Sequence, residues 1–191
     1  MVINDVELRG TICSYAELFF ATMQDEYYKL NVEVKRLSGE VDIIPVVLPR
    51  KQIDPYADYN DLRIYVKKGL VQTRRDENGH LNMYVFAKES SIYAKYKNDE
   101  DVNRIHISGI LKNKVIRKTS LSQIDIADVF FVNRDNYYPC IVWRDNVKLI
   151  EQMDKNSKFD IYARFQSRPY EKDNKNKIAY ELSISKLEKI A

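Results

Sequence analysis

The fold is decided by the stretch Pro139-Cys140-Ile141-Val142-Trp143-Arg144 (residues 139–144), because its pattern occurs twice in the chain. The stretch Pro45-Val46-Val47-Leu48-Pro49-Arg50 lies 94 positions earlier, with the first proline and the final arginine of both stretches in register. The same offset of 94 relates Gln72-Thr73-Arg74 to Gln166-Ser167-Arg168. Separate segments that match in one register indicate a duplicated module, and a duplication governs every later structural assignment.

Alternation of apolar and polar residues predicts the same set of strands in both copies. The first copy has candidate strands at 6–14, 28–36, 41–48, 62–72 and 81–88. The second copy has them at 104–112, 124–132, 138–144, 159–167 and 178–187. Between the third and fourth strands of the second copy, residues 145–153 have helical spacing with Asp145 as a candidate cap. The counterpart at 49–59 contains two prolines and predicts at most one helical turn.

Three strands, a short helix and two further strands is the element order of an OB-fold, a five-stranded Greek-key barrel. We therefore predict a mainly β chain with two tandem OB-folds. The predicted boundaries are 1–92 for module 1, 93–102 for a polar linker and 103–191 for module 2. Such barrels hold oligonucleotides on the face of strands 2 and 3 and in the flanking loops.

Composition narrows the function classes without choosing among them. The 31 basic residues nearly match the 28 acidic ones, so the net charge of +3 does not by itself indicate a polyanionic partner. Aromatic residues reach 12%, and the 14 tyrosines outnumber the other rings, which favours rings that lie half in water. Cys13 and Cys140 lie in strand-like runs and predict buried thiols, and neither has zinc-ligand spacing to His80 or His106. We expect no metal and no cofactor.

The chain shows no targeting or membrane signal. Its first residues lack the basic start and apolar stretch of a secretory signal, and no apolar run approaches the ~18 residues that span a bilayer. These observations predict a cytoplasmic protein without a membrane partner or a small-molecule substrate.

Candidate binding residues cluster in module 2. Single strands bind where exposed rings stack on bases and cations neutralise phosphates. In the third strand, period-two alternation puts Tyr137 and Trp143 on one face and the better core candidates on the other, with a core position for Trp143 as the alternative. Arg168 and Tyr170 alternate onto one side of the hairpin after the fourth strand, where a guanidinium and a ring can contact phosphate and base together. The alternative there is a solvated loop.

Further cations are candidate phosphate contacts, although basic runs are also common on merely solvated surfaces. In module 2 these cations are Arg134, Arg144, Arg164, Lys112, Arg117 and Lys118. In module 1 they are Arg36, Arg50, Arg74 and Arg75.

Segments 126–134, 137–144 and 166–170 resemble the second strand, third strand and strand-4 hairpin of bacterial single-stranded DNA-binding (SSB) proteins. The double module is similar to the tandem SSB-like proteins of Firmicutes and their mobile elements. The resemblance implies stacking roles for Tyr137, Trp143 and Tyr170, and protection of single-stranded DNA in replication, recombination, repair or mobile-element transfer. By analogy to SSB tetramers it also implies a homodimer with four OB modules, while a monomer is equally compatible with the sequence.

Module 1 departs from this pattern. The positions that match the three stacking rings hold Ile43, Pro49 and Asp76. Phe19, Phe20 and Tyr84 are candidate substitutes, so module 1 either binds weakly or mediates assembly. The family's acidic, Phe-terminated tip has no match in residues 186–191, and we expect no recruitment of other proteins through such a tip.

The remaining alternatives belong to other function classes. An enzyme needs a nucleophile with its base or a metal cluster, and neither is visible in the sequence. Asp125 with Asp128, or Asp58 with Asp61, would be the candidates for Mg²⁺ in a nuclease; we expect no enzyme. A single-stranded RNA-binding protein and a protein-interaction module stay open, because stacking alone does not separate ribose from deoxyribose.

Overall fold

A computed structural model describes residues 2–118, 124–172 and 174–190, apart from the side chains of Lys118, Lys172 and Lys175. The chain divides into two compact units. The first, which we call the N-terminal barrel, comprises Asp5–Gln72 and Met83–Arg104. The second, the C-terminal barrel, comprises Met1–Asn4, Thr73–Asn82 and Ile105–Ala191.

The strands of the N-terminal barrel are β1 (Asn4–Ile12), β2 (Glu17–Ala21), β3 (Glu26–Lys35), β4 (Val41–Pro49), β5 (Arg63–Arg75) and β6 (Leu81–Tyr93). A 3-10 turn at Arg50–Gln52 follows β4, in agreement with the single turn predicted there. The strand order is β1-β5-β6-β4-β3-β2, and pairing of β1 with β3 closes the barrel. Closure requires glycine at position 10, because a Cβ there would overlap the Glu33 carbonyl oxygen of β3.

The C-terminal barrel repeats this topology with β7 (Val102–Lys118), β8 (Asp125–Asn133), β9 (Asn136–Trp143), α1 (Asp145–Glu151), β10 (Lys158–Lys172) and β11 (Lys175–Ile190). The strand order is β10-β11-β9-β8-β7, and pairing of β7 with β10 closes the barrel. In each barrel the strand that precedes the helical turn runs parallel to the last strand, as β4 with β6 and β9 with β11. The prediction of two tandem OB-folds is confirmed.

Strand register confirms the duplication independently of residue identity. Val46 pairs with Val85 in the N-terminal barrel, and Cys140 pairs with Leu182 in the C-terminal barrel. Position 46 and position 140 differ by 94, which is the offset of the repeated prolines and arginines. A residue of one barrel can therefore be matched to its counterpart in the other by backbone pairing alone.

The helix α1 begins one residue earlier than a cap at Asp145 would allow. Arg144 is the N-cap residue, with φ of 53° and no side-chain capping hydrogen bond, and Asp145 lies in the first turn. The prediction of Asp145 as the cap is therefore wrong. Val147 and Ile150 are buried as the helical spacing predicts. The C-terminal end is stabilised from outside, because Lys114 Nζ donates to three carbonyl oxygens at Ile150, Glu151 and Met153.

The segment 93–102, predicted as a linker, supplies buried charge to the N-terminal barrel. The Asp99 carboxylate is fully buried and accepts a hydrogen bond from Arg63 Nε at 3.1 Å, while Asp101 lies 2.7 Å from another nitrogen of the same guanidinium. Cys140 is buried as predicted, whereas Cys13 is exposed because it follows the end of β1. None of the helices in the described ranges is long and apolar enough to cross a membrane.

Candidate nucleic-acid interface

The alternation along β9 separates a core face from an outer face. Tyr138, Cys140 and Val142 point into the core and are at most 3% exposed. Tyr137, at the start of the strand, is 46% exposed, and Trp143, at its end, is half-buried. The alternation predicts the outer positions of Tyr137 and Trp143, and Trp143 is not part of the fully buried core, although Ile141 between them on the same face is only 5% exposed.

Trp143 is held on this outer face by its neighbours on both sides. Its indole Nε1 donates a hydrogen bond to Ser183 Oγ of β11 at 3.3 Å. On the other side it pairs across strands with Ile126 of β8. An indole anchored by one hydrogen bond, with part of its surface in water, can offer that surface for stacking on a flat ligand.

Tyr137 is fixed through its backbone. Its N–H donates to Thr73 Oγ1 at 3.0 Å, and the Thr73 N–H donates to Asn136 Oδ1 at 2.9 Å. Thr73 belongs to the same compact unit as Tyr137, which places Arg74 and Arg75 of module 1 in the C-terminal barrel. Arg75 donates to the Gly79 carbonyl within its own hairpin.

Phe130 is a further outer ring, which the sequence interpretation missed. It is 42% exposed on β8 and pairs with Pro139 of β9. Pro139 lies between Tyr137 and Trp143 along that strand. In the structure the side chains of β8 alternate between core and surface, since Val129 and Phe131 on either side of Phe130 are fully buried. The sequence does not reveal this alternation, because the run from 129 to 132 is apolar at every position.

The β10–β11 hairpin brings cations beside these rings. Arg164 pairs with Ser183, the residue that accepts the indole hydrogen bond, and Arg164 donates to Gln166 Oε1 at 3.0 Å. Arg168 and Tyr170 follow on the same side of β10 at period two, and Tyr170 is 37% exposed. The tip of the predicted turn includes Asp173, which lies outside the described residues.

An acid lies among these cations. Glu181 of β11 is 12% exposed, with Oε1 at 3.7 Å from Arg168 Nε and 3.3 Å from Gln166 Nε2. Burial raises its pKa and the negative Asp128 adds to the rise, while the positive Arg168 and Arg117 act against it. Arg117 in turn forms a two-pronged pair with Asp128, at 2.6 and 2.9 Å. The rings and charges therefore form one surface.

We call this surface the ring face. It consists of Arg117, Asp128, Phe130, Tyr137, Trp143, Arg164, Gln166, Arg168, Tyr170, Glu181 and Ser183. It thus unites the three predicted stacking residues with three of the predicted cations.

Other predicted cations of module 2 lie elsewhere. Arg134 is in the β8–β9 turn, with φ of 52°, and lines a cavity of about 440 Å³ together with Lys158. Arg144 is exposed directly after Trp143. Lys112 donates to Asn156 Oδ1 at 3.0 Å, and the side chain of Lys118 lies outside the described residues.

In the N-terminal barrel, the predicted cations are engaged with acids. Arg36 forms a two-pronged pair with the buried Asp42, at 2.8 and 2.6 Å. Arg50 pairs with Glu26 at 3.1 Å. Within the ranges that the structure describes, no group of three or more His, Cys, Asp or Glu side chains could hold a metal ion.

No protein-family model matches the sequence, and no curated protein matches it. The chain is similar to two solved structures along its whole length. The first is the wild-type single-stranded DNA binding protein from Thermus aquaticus, with a TM-score of 0.78, 16% identity, and 100% of this chain and 94% of that chain covered. The second is a deletion mutant of the same Thermus aquaticus protein, with a TM-score of 0.75, 16% identity, and 100% and 95% covered. At this identity the likeness shows that the chain shares the two-barrel OB fold of these structures.

Proposed function

We propose that this chain binds and protects single-stranded DNA without strong sequence preference and without catalysis. The observation that carries the proposal is the ring face, where four partly exposed rings and three arginines lie on the outer surface of one OB barrel. Stacking platforms combined with cations are the common design of sequence-tolerant single-strand binding. The fold shared with the Thermus aquaticus single-stranded DNA binding protein supports the same function.

Each part of the ring face has a stated task in this proposal. Bases stack on Tyr137, Trp143 and Tyr170, with Phe130 between the first two, and each stacked base contributes about 1–3 kcal/mol. Arg164 and Arg168 neutralise phosphates, and the release of counterions makes the affinity fall with salt. Arg117 is engaged by Asp128, so a phosphate must compete with that carboxylate.

The wider role follows from the ligand. A protein that covers unpaired DNA without chemistry acts in replication, recombination, repair or mobile-element transfer. We also propose a homodimer that presents four barrels, with light scattering of the free protein as its test.

Anisotropy of a labelled oligo-dT tests the ring face directly. Tyr137→Ala and Tyr170→Ala should each weaken binding about 5- to 150-fold, the equivalent of losing one stacked base. The matched control is Tyr96→Ala, because Tyr96 is also exposed and stacks on Tyr93, outside the ring face. Equal affinity of the ring-face variants and the control would refute the proposal.

Two further arms separate the alternatives. Competition between poly-dT and poly-U decides between DNA and RNA, and we expect poly-dT to compete better. The oligonucleotide should stay intact with Mg²⁺; cutting that disappears in Asp128→Ala would show a nuclease instead.

A further inference from the structure

The N-terminal barrel carries rings at the positions that flank the missing tryptophan. In the C-terminal barrel, Trp143 pairs with Ile126, and Ser183 pairs with the residue two positions before Trp143. In the N-terminal barrel, Pro49 pairs with Tyr27, and Phe86 pairs with the residue two positions before Pro49. Tyr27, Pro49 and Phe86 therefore match Ile126, Trp143 and Ser183. One central ring is exchanged for two flanking rings.

These flanking rings form a connected cluster. The centroids of Tyr27 and Phe86 are 5.8 Å apart with planes at 46°. Phe20 of β2 stacks on Tyr27, with centroids 4.5 Å apart and planes at 19°. All three rings are half-buried, so part of each remains in contact with water. The predicted substitute Tyr84 is buried at 5% exposure and contacts Phe19 instead.

Tyr27, Pro49 and Phe86 line a groove of about 190 Å³. Phe20 does not line it, and so holds the Tyr27 ring without filling the groove. The volume is below the ~300 Å³ at which pockets for drug-sized ligands begin, and suits one flat group. The Tyr27 and Phe86 rings and the Pro49 ring can make stacking contacts with the faces of such a group.

Two cations stand at the groove. Lys51 and Lys88 line it and are exposed, and the Gln52 amide ties their two segments together by donating to the Ala87 and Lys88 carbonyl oxygens. Asp25 also lines the groove, where its Oδ1 accepts the Glu26 N–H at 2.9 Å. The lining side chains thus carry two positive charges and one negative charge, which favours an anionic strand over a neutral ligand.

We infer that this groove is a second stacking site for single-stranded DNA, in which one base lies against Tyr27 and Phe86 while Lys51 and Lys88 contact the adjoining phosphates. The inference rests on the proposed function for the ligand, but uses a different set of residues. It gives the N-terminal barrel a binding role of its own.

A relocated tryptophan tests the groove separately from the ring face. Phe86→Trp in a Trp143→Phe background places the single indole in the groove, and its emission should be quenched in a saturable way by oligo-dT. Unchanged emission of this variant, alongside quenching of Trp143 in the natural protein, overturns the groove and leaves the proposed function standing. Unchanged emission in both proteins overturns both. Circular dichroism and thermal melting establish that the variant is folded.

The lysines provide a test that leaves the barrel core untouched. In the relocated-tryptophan background, Lys51→Gln with Lys88→Gln should lower the salt slope of binding by up to about 1.4, since each phosphate contact on a single strand contributes roughly 0.7. The Trp143 titration of the natural protein with the same two changes should stay as it was. Lys95→Gln with Lys97→Gln is the matched control, because both are exposed lysines of the same barrel outside the groove. Equal slopes for groove and control variants would overturn the inference.

A second copy of the chain is the competing occupant of the groove. Tyr27→Ile with Phe86→Ser installs the residues of the C-terminal barrel, and light scattering compares its mass with that of the natural protein. An unchanged mass with weaker oligo-dT binding in the anisotropy assay supports the DNA site. A fall in mass shows that another copy covers the groove, and overturns it.

Discussion

Replacing Glu181 by Gln should strengthen single-strand binding. Glu181 is an acid on a surface proposed to hold phosphates, with Oε1 at 3.7 Å from Arg168 Nε. A phosphate on Arg168 would lie about 7 Å from the carboxylate, where two unit charges repel by roughly 0.6 to 2.4 kcal/mol for effective dielectric constants of about 80 to 20. Removing the charge should therefore tighten binding about 3- to 60-fold. The amide oxygen of the replacement can still accept the hydrogen bond from Gln166.

The pKa of Glu181 adds a pH signature to this prediction. Because burial raises that pKa, the natural side chain becomes neutral above the ordinary glutamate range as the pH falls. As the pH falls, the affinity of the natural protein should therefore approach that of Glu181→Gln. The affinity of the variant should lack the pH dependence that comes from the Glu181 carboxylate. The folded carboxyl binds its proton more tightly than the unfolded one, so ionisation costs stability at neutral pH. The variant should melt at a higher temperature at pH 7, with an advantage that disappears below about pH 4.

Titration of the Trp143 emission with oligo-dT at pH 7, repeated as the pH is lowered, measures the affinity and its pH dependence, and thermal melting at the same pH values measures the stability. The matched control is Glu188→Gln, since Glu188 is an exposed acid of the same strand that pairs with Lys186 at 2.7 Å, outside the ring face. Weaker or equal binding by Glu181→Gln would refute the reasoning. Equal tightening by both variants would show that only net charge matters.

Trp143→Ala should weaken oligo-dT binding about 5- to 150-fold in an anisotropy assay, the equivalent of one stacked base, and the chain should stay folded. Ser183→Ala removes only the acceptor of the indole hydrogen bond and should change that affinity by less than the tryptophan substitution does. Arg63→Ala leaves the buried Asp99 carboxylate without its main partner and should lower the free energy of unfolding by about 3–5 kcal/mol in urea, and unchanged stability would contradict this. In a Cys13→Ser background, Cys140, whose pKa is raised by burial, should react with a thiol reagent at the rate of unfolding; rapid labelling of that native variant would contradict its placement.

The sequence predicted the fold because its strongest signals are periodic. The repeated offset of 94 identified two modules, and period-two alternation separated the core face of β9 from the outer face that carries Tyr137 and Trp143. Both signals follow from the path of the backbone. They do not depend on which side chains lie next to one another in space. The strand β2 was missed because it is a short edge strand without alternation, in which Leu18 is 59% exposed.

The composition of the ring face was less accessible. Phe130 lies in an uninterrupted apolar run, where alternation carries no contrast. Glu181 enters the face only through the pairing of β10 with β11, a contact that spacing along the chain does not reveal. The sequence gives the number of cations, but ion pairing within the fold decides which of them can bind a phosphate. Arg117 and Arg36 each pair with a carboxylate that the sequence could not assign to them.

The groove of the N-terminal barrel is a second feature that the sequence alone did not reveal. Comparison by sequence offset found Pro49 where Trp143 stands in module 2, and predicted a module without that ring. Backbone pairing shows that Tyr27 and Phe86 come from the strands on either side of Pro49. Rings supplied by neighbouring strands are invisible to a position-by-position comparison, because their spacing in sequence differs between the modules.

The emission of Trp143 tests the central claim most directly, because it is the chain's single tryptophan and lies on the ring face beside Ser183. Oligo-dT added at low salt should quench the indole in a saturable way, and the midpoint should move to higher oligonucleotide concentration as salt is raised. Emission that stays constant across the titration, with no shift of the oligonucleotide on a native gel, would contradict the account.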